Sequence, residues 1–214
     1  MIGKIKKFNF KSLLIFNTFA LLVTSYFFNN FILIGVFTLF FFISLFTTKN
    51  GLEIISKLNL RQNIRTDGPS NHYKKSDTPT MGGIFMIVPF FIFLTLITIN
   101  LGSLKLFLVL MTSFGFFITG FLDDYISIKN KENTGLKTKE KFFLQSIVSI
   151  IFILLAYEKN LINPLITVSD SWGINMNIFI LPISFLVLVG ISNSVNLTDG
   201  LDGLAAGCSG IVFY

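Results

Sequence analysis

The sequence predicts an all-α fold: a polytopic transmembrane helix bundle with about six or seven spans. Three observations carry that expectation. Hydrophobic residues make up 52% of the 214 residues and charged residues only 13%, with a mean hydropathy of +0.74. A soluble domain carries about 25% charged residues, so this chain cannot clothe a water-facing surface. The apolar residues collect in runs close to the ~20 residues a helix needs to cross the hydrocarbon core. The basic residues collect between alternate runs, as loops on the cytoplasmic side do.

The runs follow in order. The opening "MIGKIKKFNFK" and the apolar run at 12–28 have the start of a signal peptide. No small-residue cleavage site follows and another apolar run comes at once, so the segment is read as retained. The further runs are 31–47, 83–101, 104–122, 142–157 and 178–192, and a seventh begins near Leu204. Only Asn29 and Asn30 separate the first two, which predicts a tight hairpin or an interfacial helix leading into one span. The chain is read as a single membrane domain over 1–214, with cytoplasmic loops near 48–80, 123–141 and 193–203.

Charge sets that sidedness. Lys49, Lys57, Arg61, Arg65, Lys74 and Lys75 lie in the first loop, and Lys129, Lys131, Lys137, Lys139 and Lys141 in the second. Segment 100–103 is uncharged and segment 158–177 has one lysine against two acids, so these face outward. The net charge of +6 therefore reflects membrane sidedness, and nucleic acid is excluded as a partner. The single Cys208 rules out an internal disulfide and a cysteine-rich zinc site. His72, the only histidine, reads as a loop residue.

Three polar stretches share the basic side. In "DGPSNHYKKSDTPTMGG", Lys74 and Lys75 can bind phosphate as point charges. A basic loop held by anionic headgroups is the alternative. In "GFLDDY", Asp123 and Asp124 directly follow an apolar run. Carboxylates so near the bilayer are costly and need a partner, which points to a metal or phosphate site rather than solvated helix-end charges. Adjacent helical residues point about 100° apart, so the two acids are expected to have different roles. In "NSVNLTDGLDGLAAG", Asn193, Asn196, Asp199 and Asp202 recur every third residue, so neighbours in the series share a helical face. Their oxygens suit a hard cation such as Mg²⁺, which is commonly held by one or two carboxylates plus substrate phosphates. A capped turn is the alternative there. Carboxylates and lysines together suggest phosphoryl chemistry, where positioning and charge neutralisation dominate.

"TPTMGG", "GFLDDY" and "NLTDGLDGLA" occur in this order. From about Asn59 onward the chain resembles the phospho-N-acetylmuramoyl-pentapeptide-transferase family, within the superfamily that joins sugar-1-phosphates to polyprenyl phosphate. The resemblance implies about ten transmembrane helices, a homodimer, Mg²⁺ dependence and a cytoplasm-facing active site in the bacterial cytoplasmic (inner) membrane. It implies UDP-N-acetylmuramoyl-pentapeptide and undecaprenyl phosphate as substrates, with lipid I and UMP as products of peptidoglycan synthesis. It casts Lys75, Asp123, Asp124 and Asp199 as catalytic, and Asp123, Asp124 and Asp199 as metal ligands. Lys74, Thr80, Lys139, Asn193, Asn196 and Asp202 become substrate-binding residues.

Two departures accompany it. Many relatives carry a basic residue where this chain has Ser127, with Lys129 nearby. The family also continues through further helices with a third essential aspartate and a histidine-rich loop, so a chain truncated at Tyr214 is expected to be inactive alone. The alternatives are an N-acetylglucosamine-1-phosphate transferase, which shares the aspartate pair, and an inactive truncated relic.

Overall fold

The computed structural model describes residues 31–58, 80–130, 135–169, 172–199 and 204–212. Their elements in order are α1 (Phe31–Lys57), α2 (Gly83–Leu101), α3 (Leu104–Asn130), α4 (Thr138–Glu158), β1 (Leu165–Ser169), β2 (Trp172–Asn175), a 3-10 turn (Asn177–Phe179), α5 (Ile180–Thr198) and α6 (Leu204–Val212). Five of the helices are long and apolar enough to cross a membrane. This is the all-α polytopic membrane architecture that composition predicts. The first apolar run, 12–28, lies outside the described residues.

Three helices outlast their apolar runs. α1 continues to Lys57, α3 passes through Asp123 and Asp124 to Asn130, and α5 passes through Asn193 and Asn196 to Thr198. No Pro interrupts these extensions, and Gly51 in α1 is the one glycine within them. Lys57 and Lys129 sit in the last turns of α1 and α3, where a cation complements the helix dipole. Much of the polar sequence between spans is thus helix that carries its charges at a fixed pitch.

The described residues form two compact units. In the first, α1 up to Ile54 packs on the start of α2. Pro89 lies inside α2 and has no N–H to give the carbonyl of Phe85, four residues earlier. Thr47 on α1 offers a donor: its hydroxyl lies 2.8 Å from Phe85 O, the shortest of three carbonyl contacts that share its one proton, the others being Ile43 O at 3.0 Å and Ser44 O at 3.1 Å. Gly51 allows the approach, since a Cβ there would run into the Phe85 ring.

The second unit holds α3, α4, the β1–β2 hairpin, α5 and α6. Its interior is narrow and lined by small or amphipathic residues. Gly115 on α3 faces Val148 on α4, with room for no methyl between them (a Cβ would sit 2.8 Å from Val148). Gln145 and Ser149 on α4 are almost fully buried at 2% and 0% exposure, alongside Ile153, Ala156 and, on α5, Val189. Small residues at such contacts let backbones approach where no hydrophobic force drives helices together in lipid. Large apolar side chains such as Ile151, Leu154 and Leu186 point outward, as lipid-facing positions should.

The hairpin is a feature that sequence reading leaves as an outer loop. Its strands pair antiparallel, with Ile166 opposite Ile174 and a register shift between Thr167 and Ser169. Ile166, Thr167, Val168 and Ile174 are β-branched and favour this conformation.

Candidate functional site

The site is assembled where the ends of α3, α4 and α5 meet in the second unit. α4 is the organising element. It begins after a short loop in which Glu140 reaches back to accept the Lys137 N–H at 2.9 Å, half of a capping box. That fixes the first turn, and the next residue, Lys141, projects toward α3. Its ammonium donates to Asp123 Oδ2 at 2.8 Å and to Asn196 Oδ1 at 3.1 Å. One lysine therefore ties the aspartate pair of α3 to the asparagine series of α5.

Asp123 is held from a second direction. The Leu136 backbone N–H donates to its Oδ1 at 2.9 Å. The loop lies so close that a Cβ on Gly135 would collide with the Asp123 carbonyl. Glycine is required here by close approach rather than by an unusual φ. Both carboxylate oxygens of Asp123 thus accept hydrogen bonds from its own chain. The ion pair is largely enclosed, with side-chain exposures of 17% for Lys141 and 21% for Asp123.

Asp124 differs. It is half-buried, and among the described residues no hydrogen bond or ion pair engages its carboxylate. It lies within electrostatic reach of Asp123, Lys141 and Asp199. Asp199 caps the C-terminal end of α5, its N–H donating to Val195 O at 3.2 Å, and its side chain is exposed. The two carboxylates therefore differ in engagement: that of Asp123 is held from two sides, and that of Asp124 by none of the described residues.

Deeper along α4 and α5, Asn193 Nδ2 donates to Gln145 Oε1 at 2.7 Å and to Val189 O at 2.9 Å. Gln145 Nε2 donates to Ser192 Oγ at 3.2 Å. Asn193 therefore uses its amide protons to lock α4 against α5. Asn196 lies nearly one turn further on, at the rim. Of the predicted i, i+3 series, Asn193 and Asn196 lie on α5 and Asp199 caps its end, while Asp202 falls outside the described residues.

The remaining predicted residues sort plainly. Lys139 is exposed and no described partner engages it. Lys141, two residues on and about 200° around the helix, is the lysine that enters the cluster. Thr80 is half-buried at the approach to α2 and makes no hydrogen bond to the aspartates. Lys74, Lys75 and Asp202 lie outside the described residues. Sequence reasoning passed over Lys141, Gln145 and Gly135. A signal existed for the first two, because their i, i+4 spacing places both on one face of α4.

The chemistry of the donors fits Mg²⁺. That ion keeps several waters and takes one or two protein carboxylates plus substrate phosphates, and Asp124 with neighbouring Asp199 can provide them. No group of three or more His, Cys, Asp or Glu side chains gathers around a common point among the described residues, so an all-protein metal cage is not formed there. Lys141 has a third N–H beyond the two it donates, enough for one anionic oxygen.

Comparison with known proteins now bears on these features. Residues 106–214 match the family described as Glycosyl transferase family 4. Residues 75–87 match phospho-N-acetylmuramoyl-pentapeptide-transferase signature 1. The chain is 84% identical over its whole length to the phospho-N-acetylmuramoyl-pentapeptide-transferase of Prochlorococcus marinus strain MIT 9312, covering 60% of that protein. It is 53% identical to that of the strain CCMP1986, again over the whole chain and 60% of the relative. The protein of that name from Halalkalibacterium halodurans is 38% identical over 76% of this chain and 50% of its own length. The chain thus spans about 60% of the length of the first two relatives.

Proposed function

We propose that this chain, which belongs to glycosyl transferase family 4, forms part of an enzyme that transfers phospho-N-acetylmuramoyl-pentapeptide from its UDP-activated form to undecaprenyl phosphate. The observation that carries the proposal is the Lys141 bridge between Asp123 and Asn196. It joins two motifs from distant parts of the sequence into one anion-ready corner beside an available carboxylate. The signature match over 75–87 supports the muramoyl-pentapeptide donor.

In the reaction, an oxygen of the lipid phosphate attacks the sugar-bearing phosphorus of the UDP donor. A new P–O bond forms, the bond to the bridging oxygen breaks, and UMP leaves with that oxygen to give lipid I. Both reactants are anionic, so the site must screen repulsion. Lys141 uses its third N–H on a phosphate oxygen, and Asp123 holds that ammonium in place as a positioning residue. Asp124 faces the reactants, with Asp199 beside it, and these two would hold Mg²⁺. When bound, the ion neutralises the diphosphate and stabilises departing UMP. By the family resemblance, Lys75 is a further catalytic, phosphate-contacting lysine, and Lys74, Thr80, Lys139, Asn196 and Asp202 are substrate-binding residues. A phosphate monoester has its second pKa near ~6, so the lipid nucleophile is already mostly ionised at neutral pH and needs orientation more than a base. The bias of basic residues to the loops supports a cytoplasmic-side location of this corner at the bacterial inner membrane, and the family resemblance supports a homodimer as the working unit.

The test compares donors. Native full-length protein in bilayers is supplied with undecaprenyl phosphate and either UDP-N-acetylmuramoyl-pentapeptide or UDP-N-acetylglucosamine. Mg²⁺-dependent UMP release with the first alone is expected. Release with the second alone would transfer the chain to the N-acetylglucosamine branch, and release with neither would refute the proposal.

A further inference from the structure

The β1–β2 hairpin lies at the end of α4 and α5 opposite the aspartate cluster, because Lys141 is near the start of α4 and Asn196 near the end of α5. Hydrogen bonds fix its base. α4 stops in a Schellman arrangement: Leu161 N–H donates to Ala156 O at 2.8 Å and Asn160 N–H to Tyr157 O at 3.0 Å, with Asn160 at a φ of 53°. Asn163 Oδ1 then accepts the Leu165 N–H at 2.9 Å. The base of the hairpin closes through Met176 N–H to Pro164 O at 2.9 Å. Asn175 Oδ1 accepts the Asn177 N–H at 3.0 Å as the chain turns into α5.

The two faces of the hairpin differ. Ile166 and Ile174 pair directly and share a face, and Trp172, two residues from Ile174, lies on it too. Leu165, Thr167, Gly173 and Asn175 occupy the other, with Leu165 opposite Asn175. The apolar face is uncovered: Trp172 is 56% exposed, Ile174 41% and Ile166 38%. Asp170 is the only charged residue in 160–177. The exposed apolar surface continues into both neighbouring helices, through Leu154, Leu155 and Tyr157 on α4 and Ile178 and Phe179 at the entry to α5. Those helices cross the bilayer, so the hairpin base stands at the membrane boundary, and a five-residue strand extends only about 17 Å from it.

We propose that this hairpin is an interfacial anchor, its Ile166–Trp172–Ile174 face lying in the headgroup region of the leaflet opposite the aspartate cluster. The occupant is the lipid surface itself, for which a tryptophan on an otherwise apolar face is the favoured contact. The anchor fixes the depth and tilt of α4, and through it the level at which Lys141 meets the other leaflet. The inference is independent of the transfer chemistry.

Trp172 is the only tryptophan in these 214 residues, which provides a direct probe. The native protein and its Trp172→Phe variant are placed in bilayers whose lipids carry bromine at shallow acyl positions, and the difference in emission isolates Trp172. Blue-shifted emission, lost in the brominated bilayer and insensitive to aqueous iodide, is expected. Quenching by iodide but not by bromolipid would put the hairpin in water and overturn the inference. Quenching by neither would mean that a second copy or another protein surface covers the face, and would overturn it as well.

Discussion

Replacing Lys141 with Met removes the ammonium while keeping most of the stem. At 2.8 Å, the gross attraction to Asp123 is ~6 kcal/mol at an effective dielectric of 20. Desolvation cancels most of this, and a hydrogen bond to a charged group nets roughly 1.5–3 kcal/mol. The exposures of 17% and 21% leave some solvent screening, so about 2 kcal/mol of stability should be lost. Asp123→Asn should cost a similar amount, since an amide N–H₂ facing the ammonium cannot accept from it. The double variant should then cost less than the two singles together, with a coupling of about 1–2 kcal/mol. The assay is unfolding of the native protein in mixed detergent and dodecyl sulfate micelles, followed by loss of helical signal, for wild type, both singles and the double. Turnover should collapse in Lys141→Met and recover in part in Lys141→Arg. Additivity of the two single effects within ~0.5 kcal/mol would refute the pairing and the positioning role of Asp123.

Other perturbations separate scaffold from chemistry. Asp124→Asn should abolish UMP release with little change in unfolding midpoint, because no described hydrogen bond depends on that carboxylate; substantial retained turnover would remove it from the reaction. Gly135→Ala should displace the Leu136 N–H from Asp123 and cost roughly 1–3 kcal/mol, read in the same unfolding assay, and unaltered stability would contradict the close approach. Thr47→Val leaves Phe85 O without its donor opposite Pro89 and should destabilise by roughly 0.6–2 kcal/mol, without affecting the Lys141 cluster or the KM for either substrate. Chelation of divalent cations should halt UMP release and readdition of Mg²⁺ restore it, and turnover that persists in chelator would exclude a metal role for Asp124 and Asp199.

Much of this architecture is legible in the sequence because lipid imposes a single rule: a backbone in hydrocarbon must satisfy itself, and apolar runs of sufficient length become helices. The starts of α2 and α3 coincide with the predicted runs for that reason. α2 also ends where its run ends, at Leu101, but α3 continues past its run to Asn130, because hydropathy marks where lipid ends and says nothing about where hydrogen bonding along a helix ends. That Asp123 and Asp124 point in different directions follows from helix pitch alone. Which of them is engaged does not, since that depends on a lysine eighteen positions away and on a glycine whose role is to have no side chain. Lys139 attracts attention by pattern, yet Lys141 enters the site because rotation about α4 decides which of two nearby lysines faces α3. The hairpin escapes notice since a five-residue strand with three β-branched residues between apolar runs resembles any outer loop.

The most direct measurement is the stoichiometry of transfer by the native full-length protein in bilayers containing undecaprenyl phosphate. UMP released and lipid-linked phospho-N-acetylmuramoyl-pentapeptide formed are counted in the same sample by mass spectrometry. Equal amounts of the two, both absent without undecaprenyl phosphate and both lost in Asp124→Asn, are predicted. UMP without the lipid-linked product, or release that ignores the lipid acceptor, would contradict a transferase and identify a hydrolase instead.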